Sequence, residues 1–335
     1  MTKTILVTGV SDYWGGRVAA RLVQEPDVRV VGISPTPPPL KIEGVDFIQV
    51  DVRNPLLVEL LTAEQVDTIC HLEFDERSRP SEAAFDLNVM GTMRLFGAAA
   101  QAGVRHLVWR SSTAVYGAQA SNPAFLPESW PLNGNKQHGG VRYAIEIEEF
   151  AAGFAQQNPE MGVTILRLAN VMGPTVNSPL GRYIAPKFVP VLLGFNPVLQ
   201  LLHEDDGVEA LVHACLNAPA GVFNIGAADV LPLAKIIRLA QGQDVPVLHP
   251  LVYWAGGRFG RLLSFGADYL RYRWVGDTAK LAAEFGWQPT RTAEEAVREF
   301  TAAKRTSATS QHARALDEEY LREVLAKRGQ VSSEK

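Results

Sequence analysis

The sequence predicts an α/β protein: a Rossmann-type doubly wound parallel sheet with a smaller C-terminal lobe. Three observations predict it. The β-branched and aliphatic run Ile5-Leu6-Val7 ends at Thr8-Gly9, and a helical pattern (Val18, Ala19, Leu22, Val23) starts near Trp14. That is the strand, glycine loop and helix opening of a dinucleotide-binding βαβ unit. Short apolar strands then alternate with helical patterns up to about residue 175, which implies a parallel sheet covered on both faces. Beyond 175, prolines and glycines break the chain into short pieces. The expected organisation is a Rossmann domain over 1–175, a substrate-lobe region over 176–305, and an amphipathic helix with a tail over 306–335.

The elements follow in order. Val28–Ile33 reads as the second strand and runs into the loop Ser34–Pro39; Phe47–Val50 is the third. Pro55 suits the first turn of the next helix. Thr68–Leu72 is the fourth strand. A long helix is expected from about Ala83 to Ala102, with Phe85, Val89, Met93 and Phe96 on one face and Gly103 as its stop. His106–Trp109 makes the fifth strand, Arg142–Gln157 a helix and Val163–Leu168 the sixth strand, in the order 3-2-1-4-5-6 with a seventh strand allowed. In the lobe, Leu199–Leu202 and Val222–Ile225 are strand-like, and Asp205–Leu216, Pro232–Ala240, Asp277–Phe285 and Thr292–Ala303 are helical in pattern. Gln311–Arg328 carries Leu316, Tyr320, Leu321, Val324 and Leu325 at helical spacing.

The chain has 335 residues, 47% hydrophobic and 20% charged, enough for a large core. Lys+Arg 32 against Asp+Glu 36 gives a net charge of −4. With no basic stripe, nucleic-acid binding has no support. Cys70 and Cys215 read as buried free thiols. The uncharged run Phe188–Leu202 is too short to span a bilayer and holds Pro190 and Pro197, and no signal-peptide pattern opens the chain. A cytoplasmic protein is expected. No metal-ligand spacing is seen.

A series of short motifs then appears in order: Thr8-Gly9…Gly15, Asp51-Val52, His71-Leu72, Asn88-Val89-x-Gly91-Thr92 and Ser111-Ser112-Thr113-Ala114-Val115-Tyr116-Gly117. After them come Leu166-Arg167-x-Ala169-Asn170-Val171-x-Gly173-Pro174, His203-Glu204-Asp205-Asp206, Phe223-Asn224-Ile225-Gly226, and Asp277-Thr278-Ala279-Lys280 leading to Phe285-Gly286-Trp287-x-Pro289. On these the chain resembles the extended short-chain dehydrogenases/reductases, the NAD-dependent epimerase/dehydratase family. The resemblance implies NAD or NADP as cofactor, with Gly9, Asp12, Trp14 and Gly15 at the pyrophosphate loop and Ser34 at the ribose position. Asp51 and Val52 would flank the adenine, while Leu72, Glu73 and Asn88 would lie along the cofactor. Ser112 would hydrogen-bond the substrate.

The family's acid/base tyrosine works with a lysine four residues on, whose ammonium brings the phenol's pKa of about 10 toward neutral. This sequence lacks the pair. The family spacing from Leu166-Arg167 puts the tyrosine slot at Gly140 and the lysine slot at Ala144. Tyr143 has Ile147 four residues on, and Tyr183-x-x-x-Lys187 falls after the sixth strand with Pro186 inside it. Asp12 replaces the loop's middle glycine, Ser34 stands where NAD-using members carry an acid, and Glu73 stands where a small residue is usual. All three weaken the match to a cofactor.

Each residue has a plainer reading beside the functional one. Asp12 could simply cap the helix, Ser112 bond nearby backbone, and Asp51 cap its own turn. Tyr143 is the candidate displaced acid, with Lys136 and His138 as loop substitutes. His203 suits a structural hydrogen-bonder. Val245–Trp274, with Arg258, Arg261, Arg271 and Arg273, reads as lobe packing, as a pocket for an apolar or lipid-like ligand, or as a surface for a partner. Two functions follow. One is a pseudoenzyme, a nucleotide-fold protein that binds a small molecule or protein partner. The other is an active NAD(P)-dependent epimerase, dehydratase or reductase on a nucleotide sugar or a hydroxysteroid- or lipid-like substrate, using Ser112 and Tyr143. A homodimer through the helices at 83–102 and 142–157 is compatible with Phe85, Met93, Phe96, Phe150 and Phe154.

Overall fold

The computed structural model describes residues 2–76, 80–248 and 266–306. A strand buried on both faces needs apolar side chains in both directions, and this is how β1 (Lys3–Thr8) sits, sealed from its second residue onward. It pairs in parallel with β2 (Val28–Ser34) and β4 (Thr68–His71). Outside these lie β3 (Val45–Gln49) on one edge, then β5 (His106–Ser112), β6 (Gly162–Leu168) and β10 (Gly221–Ile225) on the other. The seven-stranded order is β3-β2-β1-β4-β5-β6-β10, all parallel. The expected six-strand order is therefore present, with the seventh strand added.

Helices cover both faces. On one, α1 (Tyr13–Leu22) buries Gly15, Val18, Ala19 and Leu22, the i, i+3, i+4, i+7 stripe, against the sheet and α7 (Glu204–Asn217). On the other, α2 (Leu57–Ala63), α4 (Gly91–Gln101) and α5 (Gly139–Gln157) bury their apolar faces in a second core, with α3 (Glu82–Phe85) leading into α4. A single π turn, Asp86–Met90, joins α3 to α4, so the expected long helix is continuous but wider at its centre. Gly103, at φ 73°, ends it.

The lobe is built from β7 (Asn170–Met172), α6 (Pro179–Ile184), β8 (Phe188–Leu192), β9 (Val198–His203), β11 (Val230–Pro232), α8 (Leu233–Leu239), β12 (Gln243–Val247) and a helix over 293–306. The region after 175 does not stay in the lobe, because α7 and β10 return to complete the main sheet. β5 also runs three residues past the expected Trp109. Arg110 interrupts the apolar pattern, yet it pairs with Leu166 in the ladder, followed by Ser111 with Arg167 and Ser112 with Leu168. The expected helix at 311–328 and most of the Val245–Trp274 stretch lie outside the described residues. Among the described residues no helix is long and apolar enough to cross a membrane.

Candidate active site at the carboxyl edge of the sheet

The loop after β1 needs two glycines. Gly9 adopts φ 66°, and a Cβ there would lie 3.0 Å from the Glu73 backbone. A Cβ on Gly15 would overlap the Gly9 carbonyl oxygen. The turn closes with Asp12 N–H donating to Gly9 O (2.9 Å) and Gly16 N–H to Asp12 O (3.0 Å). Asp12 stands at the N-cap of α1 in extended backbone, with no side-chain cap bond.

The exit of β4 is pinned onto this loop. Thr8 Oγ1 accepts from the N–H groups of Leu72 and Glu73, both at 3.0 Å. Its own hydroxyl is left to donate to His71 Nδ1 (2.8 Å), so His71 Nε2–H donates to Thr92 Oγ1 (2.8 Å). Burial, then the charge of Arg110, pushes His71 down to about 3, so the imidazole is neutral. Further along, Asn88 accepts from Asp75 N–H at 2.9 Å and donates to Asp75 O at 3.4 Å. The segment 72–75 is thus held from both sides.

A cavity of about 700 Å³ opens above these strand ends. Of the sequence-predicted residues, Asp12, Trp14, Ser34, Asp51, Leu72, Glu73 and Ser112 line it. Gly9 and Gly15 shape the loop beneath. Val52 is 1% exposed and packs as core, with Gly91 close against it, and Asn88 works behind the wall. Tyr143 is not brought to the cavity. Its phenol donates to Ser81 O (3.2 Å) and accepts from Ser81 N–H (3.1 Å), and its ring packs edge-on against Phe85. Ser112 Oγ accepts from Ala114 N–H at 3.2 Å, the local backbone bond of a turn.

Gly140 and Ala144, the tyrosine and lysine slots, both line the cavity. A Cβ on Gly140 would lie 2.6 Å from the carbonyl oxygen of Glu76, so backbone occupies the space of a side chain there. Two arginines also enter the wall, and neither stood out in the sequence. Arg53 ties to Asp51 (2.6 Å) and Asp86 (2.9 Å), which holds Asp51 below the usual carboxylate range. Arg110, 8% exposed, pairs with Glu76 and lies over the Trp14 ring, 5.1 Å from its centroid. A charged residue inside the apolar run His106–Ser112 was the available signal.

Behind the wall, Glu148 accepts from Ser111 Oγ (2.5 Å) and from Arg167 Nη2 (2.5 Å) and Nε (2.9 Å). Arg167 Nη1 reaches Tyr116 Oη (2.7 Å), and Tyr116 donates to Asn224 Oδ1 (2.7 Å). On the lobe side Tyr13 bonds Thr175 (3.1 Å), and Glu204 collects the N–H groups of Thr175 and Val176. Burial pushes the Tyr13 phenol up to about 12. His203 is structural: Nδ1 accepts from Asp205 N–H (3.1 Å) and Nε2 meets Glu299 (3.1 Å).

Residues 5–226 match the NAD dependent epimerase/dehydratase family. The chain belongs to that family. A Mycobacterium tuberculosis protein described as uncharacterised is 36% identical over 313 residues, covering 89% of this chain and 83% of its own length. The UDP-glucose 4-epimerase of Lactobacillus helveticus is 27% identical, covering 85% of this chain and 92% of its own. In fold, the chain is similar to the Thermotoga maritima UDP-glucose 4-epimerase solved with UDP-glucose (TM-score 0.69, 19% identity, 91% of this chain and 99% of that one). It is also similar to the Bacillus anthracis dTDP-glucose 4,6-dehydratase solved with NAD (TM-score 0.69, 19% identity, 91% and 97%).

Proposed function

We propose that this family member binds a small molecule at the sheet edge without tyrosine–lysine hydride-transfer chemistry, as a pseudoenzyme. One observation carries the reading: Gly140 and Ala144 face the cavity at the two slots, and the Glu76 carbonyl fills the space beside Gly140. The Gly9–Gly15 backbone suits a diphosphate approaching a helix N-terminus. The side chains do not. Asp12 and Glu73 are close enough for the charge of Asp12 to raise the Glu73 carboxyl, so two acids share the loop's surroundings. Arg53 and Arg110 are each paired within the wall, to Asp51 and Glu76. A nicotinamide dinucleotide would add negative charge to that setting.

The test is calorimetric titration with NAD⁺, NADH and NADPH, together with cofactor absorbance over UDP-glucose, UDP-galactose and dTDP-glucose. The expected result is no micromolar binding and no turnover. Micromolar binding with turnover sinks the reading. A second reading, an active epimerase, dehydratase or reductase with a substitute acid/base, is favoured by Glu73, whose carboxyl is pushed up to about 7. Tyr143 supports it less, because its hydroxyl is committed to the Ser81 backbone. We further propose a homodimer through α4 and α5, where Gly97 and Gly153 face open space beside the half-buried Phe150 and Phe154. Light scattering after size exclusion gives the mass directly.

A further inference from the structure

Glu73 is 8% exposed, lines the cavity, and accepts no hydrogen bond through its carboxylate among the described residues; Oε2 is sealed from solvent without a partner, which leaves Oε1 as the oxygen a ligand can reach. It cannot find one by moving with its loop. The Thr8 hydroxyl fixes the backbone at Leu72 and Glu73, and Asn88 fixes Asp75. Two other carboxylates of the wall are matched, Asp51 by Arg53 and Glu76 by Arg110. A buried acceptor with no donor is costly, and an unpaired buried charge more so. Such a group persists where a ligand supplies the donor.

We infer that the cavity binds an organic amine, its ammonium seated on the Glu73 carboxylate and its apolar body against walls such as Leu72, Phe74 and Leu168. This rests on the reading above that the cavity does not serve a nicotinamide dinucleotide. Charge favours a cation here over a phosphate. The groups facing Glu73 from neighbouring elements are Asp12 on the β1–α1 loop and Asp51 and Arg53 after β3. Burial, then Asp51 and Asp12, raise its pKa to about 7, against a smaller lowering by Arg53. Arg110 pairs with Glu76 through Nη1, while its Nε is buried without a partner on the same wall.

The sign of the pH dependence follows. Near pH 6 the carboxyl is mostly protonated and offers no charge, while near pH 8 it is mostly ionised. An aliphatic ammonium, like the lysine group with its pKa of about 10, stays charged throughout. Because apparent affinity scales with the binding-competent fraction, amine affinity rises about tenfold across that interval.

The experiment is calorimetry on the full chain with phenethylamine and tryptamine, against 2-phenylethanol and phenylacetate as neutral and anionic matches, with NAD⁺ as a separate arm. The amines are expected to bind more tightly than their matches, with affinity rising about tenfold from pH 6 to pH 8. Glu73→Gln is expected to lose both the preference and the pH slope. Equal binding of amine and alcohol, absence of amine binding, or a pH-independent wild-type affinity overturns the inference, and the last measurement needs no variant. If amines fail and NAD⁺ is also silent, only this inference falls. If NAD⁺ binds and turnover follows, the pseudoenzyme reading falls with it.

Discussion

Glu148 and Glu73 are both carboxylates buried at the same sheet edge, and their surroundings are opposite. Glu148, 3% exposed, receives a serine hydroxyl and a two-pronged guanidinium, and that guanidinium is itself bonded to Tyr116 and to the Glu128 carbonyl. Glu73 receives nothing and sits near Asp12 and Asp51. The first arrangement satisfies every strong donor and acceptor in its reach, which makes it a support for the β5 and β6 ends. The second leaves a charge waiting for a partner from outside. Burial alone does not separate scaffold from site; matched and unmatched burial does.

The comparison breaks most visibly at the matched pair. Arg167→Ala leaves Glu148 buried without its cation and is expected to cost roughly 3–5 kcal/mol, read from urea unfolding. Removing both partners, as Arg167→Met with Glu148→Leu, should cost less than the single change, because no orphan charge remains.

Glu73→Gln should act in the other direction. The folded-state pKa of about 7 lies above the 4.5 of a free glutamate, so the native state holds a proton that the unfolded chain has released between those values. This group's contribution is most favourable below pH 4.5 and is lost as pH rises through 7. The glutamine variant is therefore expected to be more stable than the parent at pH 8, by up to about 3 kcal/mol, and little changed at pH 4. Thermal unfolding across pH reads both, and a parallel pair of profiles would remove the unmatched-charge account.

Gly140→Ala tests whether the tyrosine slot is closed by backbone. A Cβ only 2.6 Å from the Glu76 carbonyl forces that segment to shift, at an expected 1–3 kcal/mol. A neutral substitution would mean the segment yields freely. The smallest effect belongs to Tyr143→Phe, which removes both hydrogen bonds to the exposed Ser81 backbone and should cost about 1 kcal/mol with no change in small-molecule binding. Altered binding in that variant would restore Tyr143 as a site residue.

The fold was legible in the sequence because strand burial and helix periodicity are local patterns. Ile5–Val7, Val28–Ile33 and Thr68–Leu72 read as strands from their apolar runs alone, within a residue or two of the strands observed, and the Gly9 and Gly15 spacing announced the loop. The missing slots at Gly140 and Ala144 were also readable, and both face the cavity. Arg110 was hidden, because a strand reading stops at the first charge and cannot know that a neighbouring loop brings Glu76 to meet it. Arg53 was hidden in part for the same reason: Asp51 lies two residues before it, but its second partner, Asp86, comes from the π turn after α3. Tyr143 looked usable because it stands three residues from the Gly140 slot, but that spacing leaves it about 60° round the helix from Gly140 and about 100° from Ala144, where its side chain meets Phe85 and Ser81 instead.

Sequence by itself determined the parallel sheet, its order, the family and the loss of the tyrosine–lysine pair, since each depends on residue identity at fixed spacing along one chain. Only the tertiary structure decided which carboxylates have partners. A charge's partner is whatever the fold brings within a few ångströms of it, as for Arg110 with Glu76 and Arg53 with Asp86, and burial then multiplies the consequence of having one or lacking it.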